Sequence, residues 1–400
     1  MRVSKTLIPL ALVAASLTAM PGTSAAAPLQ TAVFNPGKDA IFPVTSTLIY
    51  GPHEAMLVDA QFEKRHAAEL IAQVRATGKV VKVIFISHSD PDYYFGLAEL
   101  KKAFPGARVI STAQTAYLIS ATKDAKLQVW KDKLGPEAPT DLPVPEAAES
   151  DTITIDDEQV VVRSLPDDPA HAYLWIPSAK TVLGGISVST GEHLWMADTP
   201  SVAAIDAWLG VLDDMKKLGP EHVIAGHFLK PDHSPSQLDF VRDYLLAYRQ
   251  AASTHRDAAG IVEAMAARYP ALAGRDTLEF GAKVWTGQAT WHLANPYPPI
   301  GKSAVVNFGA AKFELTFVDD KTMSFRDVSG AFDGVRDTVT YTPIEVSRNV
   351  FMVYWHEPST GSNVVHLQDW NTHTIYTNIA AKDGSFIHLK GVIALDPNSR

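Results

Sequence analysis

The run Val80-Val81-Lys82-Val83-Ile84-Phe85-Ile86 is apolar except for Lys82, is bounded by Gly78 and the polar Ser87, and reads as a strand buried on both faces. A strand of that kind needs layers on either side of its sheet, and the flanking pattern supplies them. Before it, Thr47–Tyr50 and Ala55–Asp59 read as two short strands around a Gly51-Pro52 turn, and a helix is expected from about Glu63 to Thr77, with Ala67, Leu70, Ile71 and Val74 on one stripe. After it come helical patterns at Tyr94–Phe104 and Ala113–Leu134, with a strand at Arg108–Ser111 between them. From Thr152 the signal turns to strands, at Thr152–Ile155, Val160–Ser164, Tyr173–Ile176 and Val182–Leu183. A helix over Val202–Leu218 leads into a short strand at His222–Ala225, and Gln237–Ala266 is largely helical. Strands bracketed twice by helices predict two sheets packed face to face with helices outside.

Past the turn-rich Asn295-Pro296-Tyr297-Pro298-Pro299 the pattern changes to short strands at regular spacing, from Ser303 to Val392, which predicts an antiparallel barrel or sandwich. The chain of 400 residues therefore divides into a first domain over residues 28–295 and a second over 300–398. Residues 1–27 are expected to be a leader. Arg2 and Lys5 precede the apolar run Leu7–Met20, and the small residues Thr23-Ser24-Ala25-Ala26-Ala27 follow, the three-part pattern of a secretory signal peptide. The run is short of the roughly 20 apolar residues that a membrane span needs. A periplasmic or secreted protein is expected, with no span in the mature chain.

Composition narrows the chemistry. With 46% hydrophobic and 20% charged residues the chain sits near the globular average, so most of it should fold. A formal charge of -9 and the lack of a basic run argue against a nucleic-acid partner. The absence of cysteine excludes disulfides, thiol nucleophiles and Cys-ligated metal, so any metal ligand must be His, carboxylate or Tyr. No GxSxG elbow, HExxH helix or phosphate-cradling glycine loop is present.

The informative stretch is Ile86-Ser87-His88-Ser89-Asp90-Pro91-Asp92-Tyr93-Tyr94-Phe95-Gly96, where the buried strand ends and a helix begins. His88, Asp90 and Asp92 alternate, so an extended loop can turn all three toward one point, and imidazole plus carboxylate suits zinc, iron or manganese. The same loop also reads as a polar turn whose aspartates cap the following helix. A second histidine, His227, ends the short apolar strand Val223-Ile224-Ala225-Gly226.

These two stretches resemble the first and last motifs of the metallo-β-lactamase-fold hydrolases, whose loop reads HxHxDH and whose last metal ligand is often the His of a Gly-His pair. Leu57-Val58-Asp59, Gly184-Gly185 and His193-Leu194-Trp195 extend the likeness over about residues 30 to 270. The resemblance implies an αββα sandwich and a divalent metal, zinc in the first place. By it, His88, Asp90 and either Asp167 or His171 would hold one metal, with Asp92 and His227 holding a second or serving as base and hydrogen-bond donor. The departures are specific: Asp90 stands where the second His is usual, Tyr93 where the third is, and Ile186 where a bridging carboxylate is common, which favours one metal over two. The metal of this family polarises the substrate and lowers the pKa of bound water to about 7. Tyr93 could then donate to an oxyanion, His193 could line the pocket, and Asp59 could orient a ligand from behind.

The segment Phe313–Leu395 resembles the MoaF-like, lipocalin-related barrels, through Phe313-Glu314-Leu315-Thr316-Phe317-Val318, Asn349–Trp355 and Lys382-Asp383-Gly384. Trp355, His356 and His366 could line an interior cavity. The function these resemblances imply is an exported metal-dependent hydrolase of a small-molecule substrate: an ester, lactone, amide or phosphoester. Two rivals stand beside it: a catalytically reduced binding protein on the same fold, and a small-molecule carrier working through the barrel.

Overall fold

The computed structural model describes residues 27–291, 297–347 and 349–397. All but the last residue of the expected leader, and Asn295-Pro296 of the expected junction, lie outside the described residues.

The first sheet holds β1 (Gln30–Phe34), β2 (Ser46–Tyr50), β3 (Glu54–Val58), β4 (Val80–Ile86), β5 (Arg108–Ser111) and β6 (Glu146–Ala147) in that spatial order, antiparallel up to β3 and parallel from β3 onward. The second holds β7 (Thr152–Ile155), β8 (Glu158–Leu165), β9 (Asp168–Ile176) and β10 (Thr181–Leu183). After β11 (Ser189–Thr190), the strand β12 (His222–Ile224) returns to pair in parallel with β10, and β13 (His227–Phe228) pairs with β11.

The buried run β4 does what its composition requires. Val83 and Phe85 enter the layer between the sheets with Met56, Val58, Leu174 and Ile224. Ile84 and Ile86 face the other way, into the layer under α1 (Lys64–Ala76) and α3 (Leu97–Ala103), with Leu70, Val74 and Leu100. Each such side chain taken from water contributes roughly 1.5–3 kcal/mol, which holds an element with so few residues in register. The outer layer of the second sheet is formed by α5 (Val202–Lys217), α6 (Ser236–Thr254), α7 (Ala258–Arg268) and α8 (Arg275–Trp285). The first domain is thus an αββα sandwich. Two details differ from the sequence reading. The helical run expected over Gln237–Ala266 is broken at His255–Asp257, where the Asp257 carboxylate caps the next helix by accepting the Gly260 N–H at 2.8 Å, and α8 was not anticipated. The run after β4 is likewise two helices, α2 (Pro91–Tyr94) and α3.

The second domain is a closed antiparallel barrel of β14 (Ser303–Asn307), β15 (Lys312–Phe317), β16 (Thr322–Asp327), β17 (Arg336–Ser347), β18 (Val350–Glu357), β19 (Ser362–Asp369), β20 (Thr374–Ala380) and β21 (Phe386–Leu395). Alternation sorts its side chains: Phe351, Val353 and Trp355 point inward, while Tyr354 and His356 are exposed. The interior is packed with Phe317, Tyr341, Phe351 and Trp355, and His366 lies against Trp355 with ring centroids 4.5 Å apart. Burial pushes the His366 imidazole down to about 3, so it is a neutral core side chain. Tyr297 is fully buried in the same cluster, and its hydroxyl donates to Gln368 Oε1 at 2.8 Å. Tyr117 and Leu118 of α4 (Ala113–Leu134) join the cluster, and the Gln114 amide, in the orientation that satisfies both its atoms, pairs with the backbone N–H and C=O of Tyr297 at 3.1 Å. The barrel therefore docks on α4, the helix that also reaches the loop after β4.

Candidate active site

Asp59, His88, Asp90, Asp92 and His227 stand just beyond the carboxyl ends of β3, β4 and β12, the edge where open α/β sheets build sites, while His171 lies near the amino end of β9. Asp59 follows β3 with φ of 65° and is 1% exposed. Its Oδ1 accepts the Ser87 N–H at 2.8 Å and its Oδ2 the Ser87 hydroxyl at 2.6 Å, and that hydroxyl accepts the Gly185 N–H at 2.7 Å. One hydrogen-bonded chain thus ties the ends of β3 and β4 to the turn after β10, across the two sheets. Burial pushes the Asp59 carboxyl up to about 8, against the lowering effect of the two Ser87 bonds. Asp59 positions the loop through Ser87.

His88 is 6% exposed, and burial pushes its imidazole down to about 4, leaving it neutral at pH 7. Its Nδ1 accepts the Asp90 N–H at 3.2 Å and lies 3.5 Å from Asp90 Oδ2. Asp90 holds the N-cap position of α2 without capping it, so the plain-turn reading of this residue does not describe it. Its carboxylate instead meets Lys126, a lysine of α4 only 3% exposed, whose ammonium donates to Asp90 Oδ1 at 3.2 Å and to the Ser89 carbonyl at 2.5 Å. Burial alone would raise the Asp90 carboxyl; Lys126 and His88 beside it hold it below the usual carboxylate range. Lys126 was not found by sequence reasoning. Its signal was available: Thr115, Ile119, Thr122 and Lys126 form the buried stripe of α4, and a lysine on such a stripe needs a partner.

The choice between Asp167 and His171 falls to His171. Asp167 is exposed in the turn between β8 and β9 and is not brought to the site, while His171, further along β9, has its ring 6.3 Å from that of His88. The His171 ring stacks on Trp208 at 4.6 Å, and its Nδ1 is 2.8 Å from both carboxylate oxygens of Asp168. Burial opposes the charged imidazole, but Asp168 outweighs it and raises His171 above its ordinary value.

Asp92 and His227 form the third pair. Asp92 Oδ2 and His227 Nε2 lie 2.7 Å apart, both out of solvent, as an ion pair. Burial disfavours the charged imidazole, and Asp92 outweighs it to raise His227 above its ordinary value. Tyr93 is fully buried between the two histidines, stacked on His227 at 5.6 Å and edge-on to His88 at 5.2 Å. Its hydroxyl sits against Gly226, where an added Cβ would lie 2.8 Å from it and 2.1 Å from the Gly185 carbonyl oxygen, so this position has room only for glycine.

A narrow cleft opens beside these pairs. Asp90, Asp92, His227 and His193 line it, with Ile186 and Glu192; His88, His171 and Tyr93 stand behind that lining, so Tyr93 is not placed to meet an oxyanion in the cleft. His193 Nδ1 is held 2.9 Å from the Tyr244 hydroxyl. The walls are aromatic: Phe42 with Trp130 at 5.1 Å on one side, and Trp195 with Trp291 at 5.5 Å on the other. The two indole N–H groups of Trp195 and Trp291 both donate to Asp198, at 2.7 and 2.8 Å.

The donor set fits a divalent metal in part. Among the described residues no three His, Asp or Glu side chains are arranged to hold an ion; the donors stand as the pairs His88–Asp90, Asp168–His171 and Asp92–His227. Asp92 Oδ2 and His227 Nε2 are buried and pair with each other, so an ion held there would have to replace that contact. Ile186 lines the cleft where the resemblance would put a bridging carboxylate.

Two layers of sheet between helices, with imidazoles and carboxylates at the strand ends, define the αββα class with a polar strand-end site. Residues 40–227 match the metallo-beta-lactamase superfamily model and residues 300–394 match the MoaF-like model: the chain carries a metallo-beta-lactamase superfamily domain followed by a MoaF-like barrel. Similar solved structures include a metallo-beta-lactamase from Pontibacter korlensis, 18% identical, covering 55% of this chain and 94% of that one with a TM-score of 0.41. A metallo-beta-lactamase family protein from Thermus thermophilus is 17% identical, covering 64% of this chain and 93% of that one with a TM-score of 0.45. No curated protein matches the chain. The match over residues 40–227 supports a metal-dependent, hydrolase-like function for that domain, and its fold implies a divalent metal.

Proposed function

We propose that the protein is an exported, metal-dependent hydrolase of a small ester, lactone or amide. The observation that carries this reading is the buried Asp92–His227 pair, a carboxylate and an imidazole 2.7 Å apart on the lining of an aromatic cleft. Asp92 and His227 would hold the ion, zinc by the usual preference for mixed imidazole and carboxylate, with the neutral His88 behind them. When bound, such an ion supplies Lewis-acid polarisation and a water of lowered pKa. The chain's own part is binding and orientation. Phe42, Trp130, Trp195 and Trp291 offer apolar faces that take up a hydrocarbon or aryl group and exclude water. His193, fixed by Tyr244, is on the lining where it can bond a substrate oxygen. Asp90, Asp92 and Glu192 on the same lining disfavour an anionic substrate, which weighs against the phosphoester.

A second reading has its own support. The paired donors and Ile186 suit a binding protein on this fold that has lost catalysis. Elemental analysis of protein purified with added zinc separates the two, together with hydrolysis of neutral aryl esters and lactones. Metal near one equivalent, with turnover lost in Asp92→Ala and in His227→Ala, is the expected result. Less than about one tenth of an equivalent would sink the hydrolase, because a working site retains its metal. Export is tested by the amino terminus of the mature protein, expected after Ala25 or Ala27.

A further inference from the structure

We propose that the cleft receives the ammonium group of a small organic cation, with the tryptophans of its walls as the seat and Glu192 as the counter-charge. The proposal rests on the reading above only in taking this cleft as the place where the small molecule sits, and it holds whether that molecule is hydrolysed or only bound. Two properties of the lining coincide. It carries the carboxylates Asp90, Asp92 and Glu192 and no Lys or Arg, and it has tryptophan on both sides, Trp130 on one and Trp195 with Trp291 on the other. The charge is not balanced from within. Asp90 is met by Lys126 at 3.2 Å and Asp92 by His227 at 2.7 Å. Glu192 has no such partner among the described residues: His227, whose charge bears on it, is already engaged by Asp92. Arg275, whose charge reaches His193, is likewise taken, by Glu263 at 2.6 Å and Glu279 at 3.3 Å. A further carboxylate, Asp198, accepts the N–H groups of Trp195 and Trp291, which fixes both rings by their edges. An indole that donates to a carboxylate is polarised toward a more negative face, and the indole face is the best aromatic partner for a cation. The acids stand in separate pairs, and among the described residues no three His, Asp or Glu side chains surround one point, an arrangement that suits a charge spread over an alkylated nitrogen. His193, 4% exposed on the same lining, has Nδ1 held by Tyr244, which leaves its other ring nitrogen for a polar atom of the guest.

The test titrates the full-length mature chain by calorimetry with choline, with ethanolamine, and with 3,3-dimethylbutan-1-ol, the neutral carbon isostere of choline. Chelator is present, so neither metal nor turnover enters the readout. Choline and its isostere share shape and hydroxyl and differ in charge, and choline is expected to bind saturably and about ten-fold or more tighter. Glu192→Gln keeps the shape of a half-buried side chain and removes its charge; it should weaken choline about five-fold or more and leave the isostere unchanged. Trp291→Leu should weaken choline more than the isostere, and Trp291→Phe should restore part of the loss. Should the Trp291 variants not fold, Glu192→Gln decides alone. Equal affinity for choline and the isostere would show an apolar cleft without cation recognition, and choline binding unchanged in Glu192→Gln would remove the counter-charge; either overturns the proposal. No saturable binding of choline or ethanolamine also overturns it, while the hydrolase reading, judged by zinc content and the cleavage of neutral esters, stands or falls separately.

Discussion

Replacing Asp59 with Asn should remove one well-defined component from the pH dependence of stability. The folded chain holds this carboxyl at about 8, against an ordinary value of 3.8, because burial outweighs the two bonds from Ser87. Between those two values the folded state keeps a proton that the unfolded chain has released. Stability changes with pH in proportion to the protons bound unfolded minus those bound folded, a negative difference here, so this group makes the protein less stable as pH rises through the window. One proton is worth about 1.4 kcal/mol per pH unit, so from about pH 5 to about pH 7 the wild type should lose about 3 kcal/mol relative to Asp59→Asn. Asn can keep both contacts, accepting from the Ser87 N–H and donating to its hydroxyl oxygen, so the variant should fold. Other groups titrate in the same range. His88, lowered from 6.5 to about 4, loses stability as pH falls, the opposite direction, but it is common to both proteins and cancels in the difference. The assay is urea unfolding followed by tryptophan fluorescence, with chelator present so that metal binding does not enter. Parallel stability curves for the two proteins would show that Asp59 is not held protonated and that the reasoning from burial is wrong.

The remaining expectations concern packing. Gly226→Ala places a methyl 2.1 Å from the Gly185 carbonyl oxygen, a backbone atom that cannot swing aside, so it should cost about 2 kcal/mol or more in denaturant unfolding. A cost below roughly 0.5 kcal/mol would mean that the turns after β10 and β12 are not tightly apposed. Tyr297→Phe removes a fully buried hydroxyl that donates to Gln368, leaving that amide oxygen without this donor; a loss of about 1–2 kcal/mol is expected, read from thermal unfolding, and an unchanged melting temperature would show that this buried bond contributes nothing net.

How much of this was legible in the sequence follows from where each signal is stored. Local pattern determined the strands and the layering: β4 announced burial on both faces by composition, the barrel strands by alternation, and His88, Asp92 and His227 by their place at strand ends. Those features need only neighbours within a few residues. The tertiary structure alone decided the partners. Whether Asp167 or His171 faces the site depends on where the turn between β8 and β9 falls: Asp167 lies in that turn and is exposed, while His171 lies within β9. Lys126 reaches Asp90 from 36 residues away, and the aromatic walls come from segments between Phe42 and Trp291. The meeting of such groups is set by packing of helices on sheets, which periodicity does not encode. The sequence by itself determined two domains, an αββα layering and a cysteine-free set of His and Asp donors. Only the fold decided that those donors stand in pairs, that one pair is compensated by a buried lysine, and that another lies on the lining of an aromatic cleft, because desolvation acts between groups brought together in space and not along the chain.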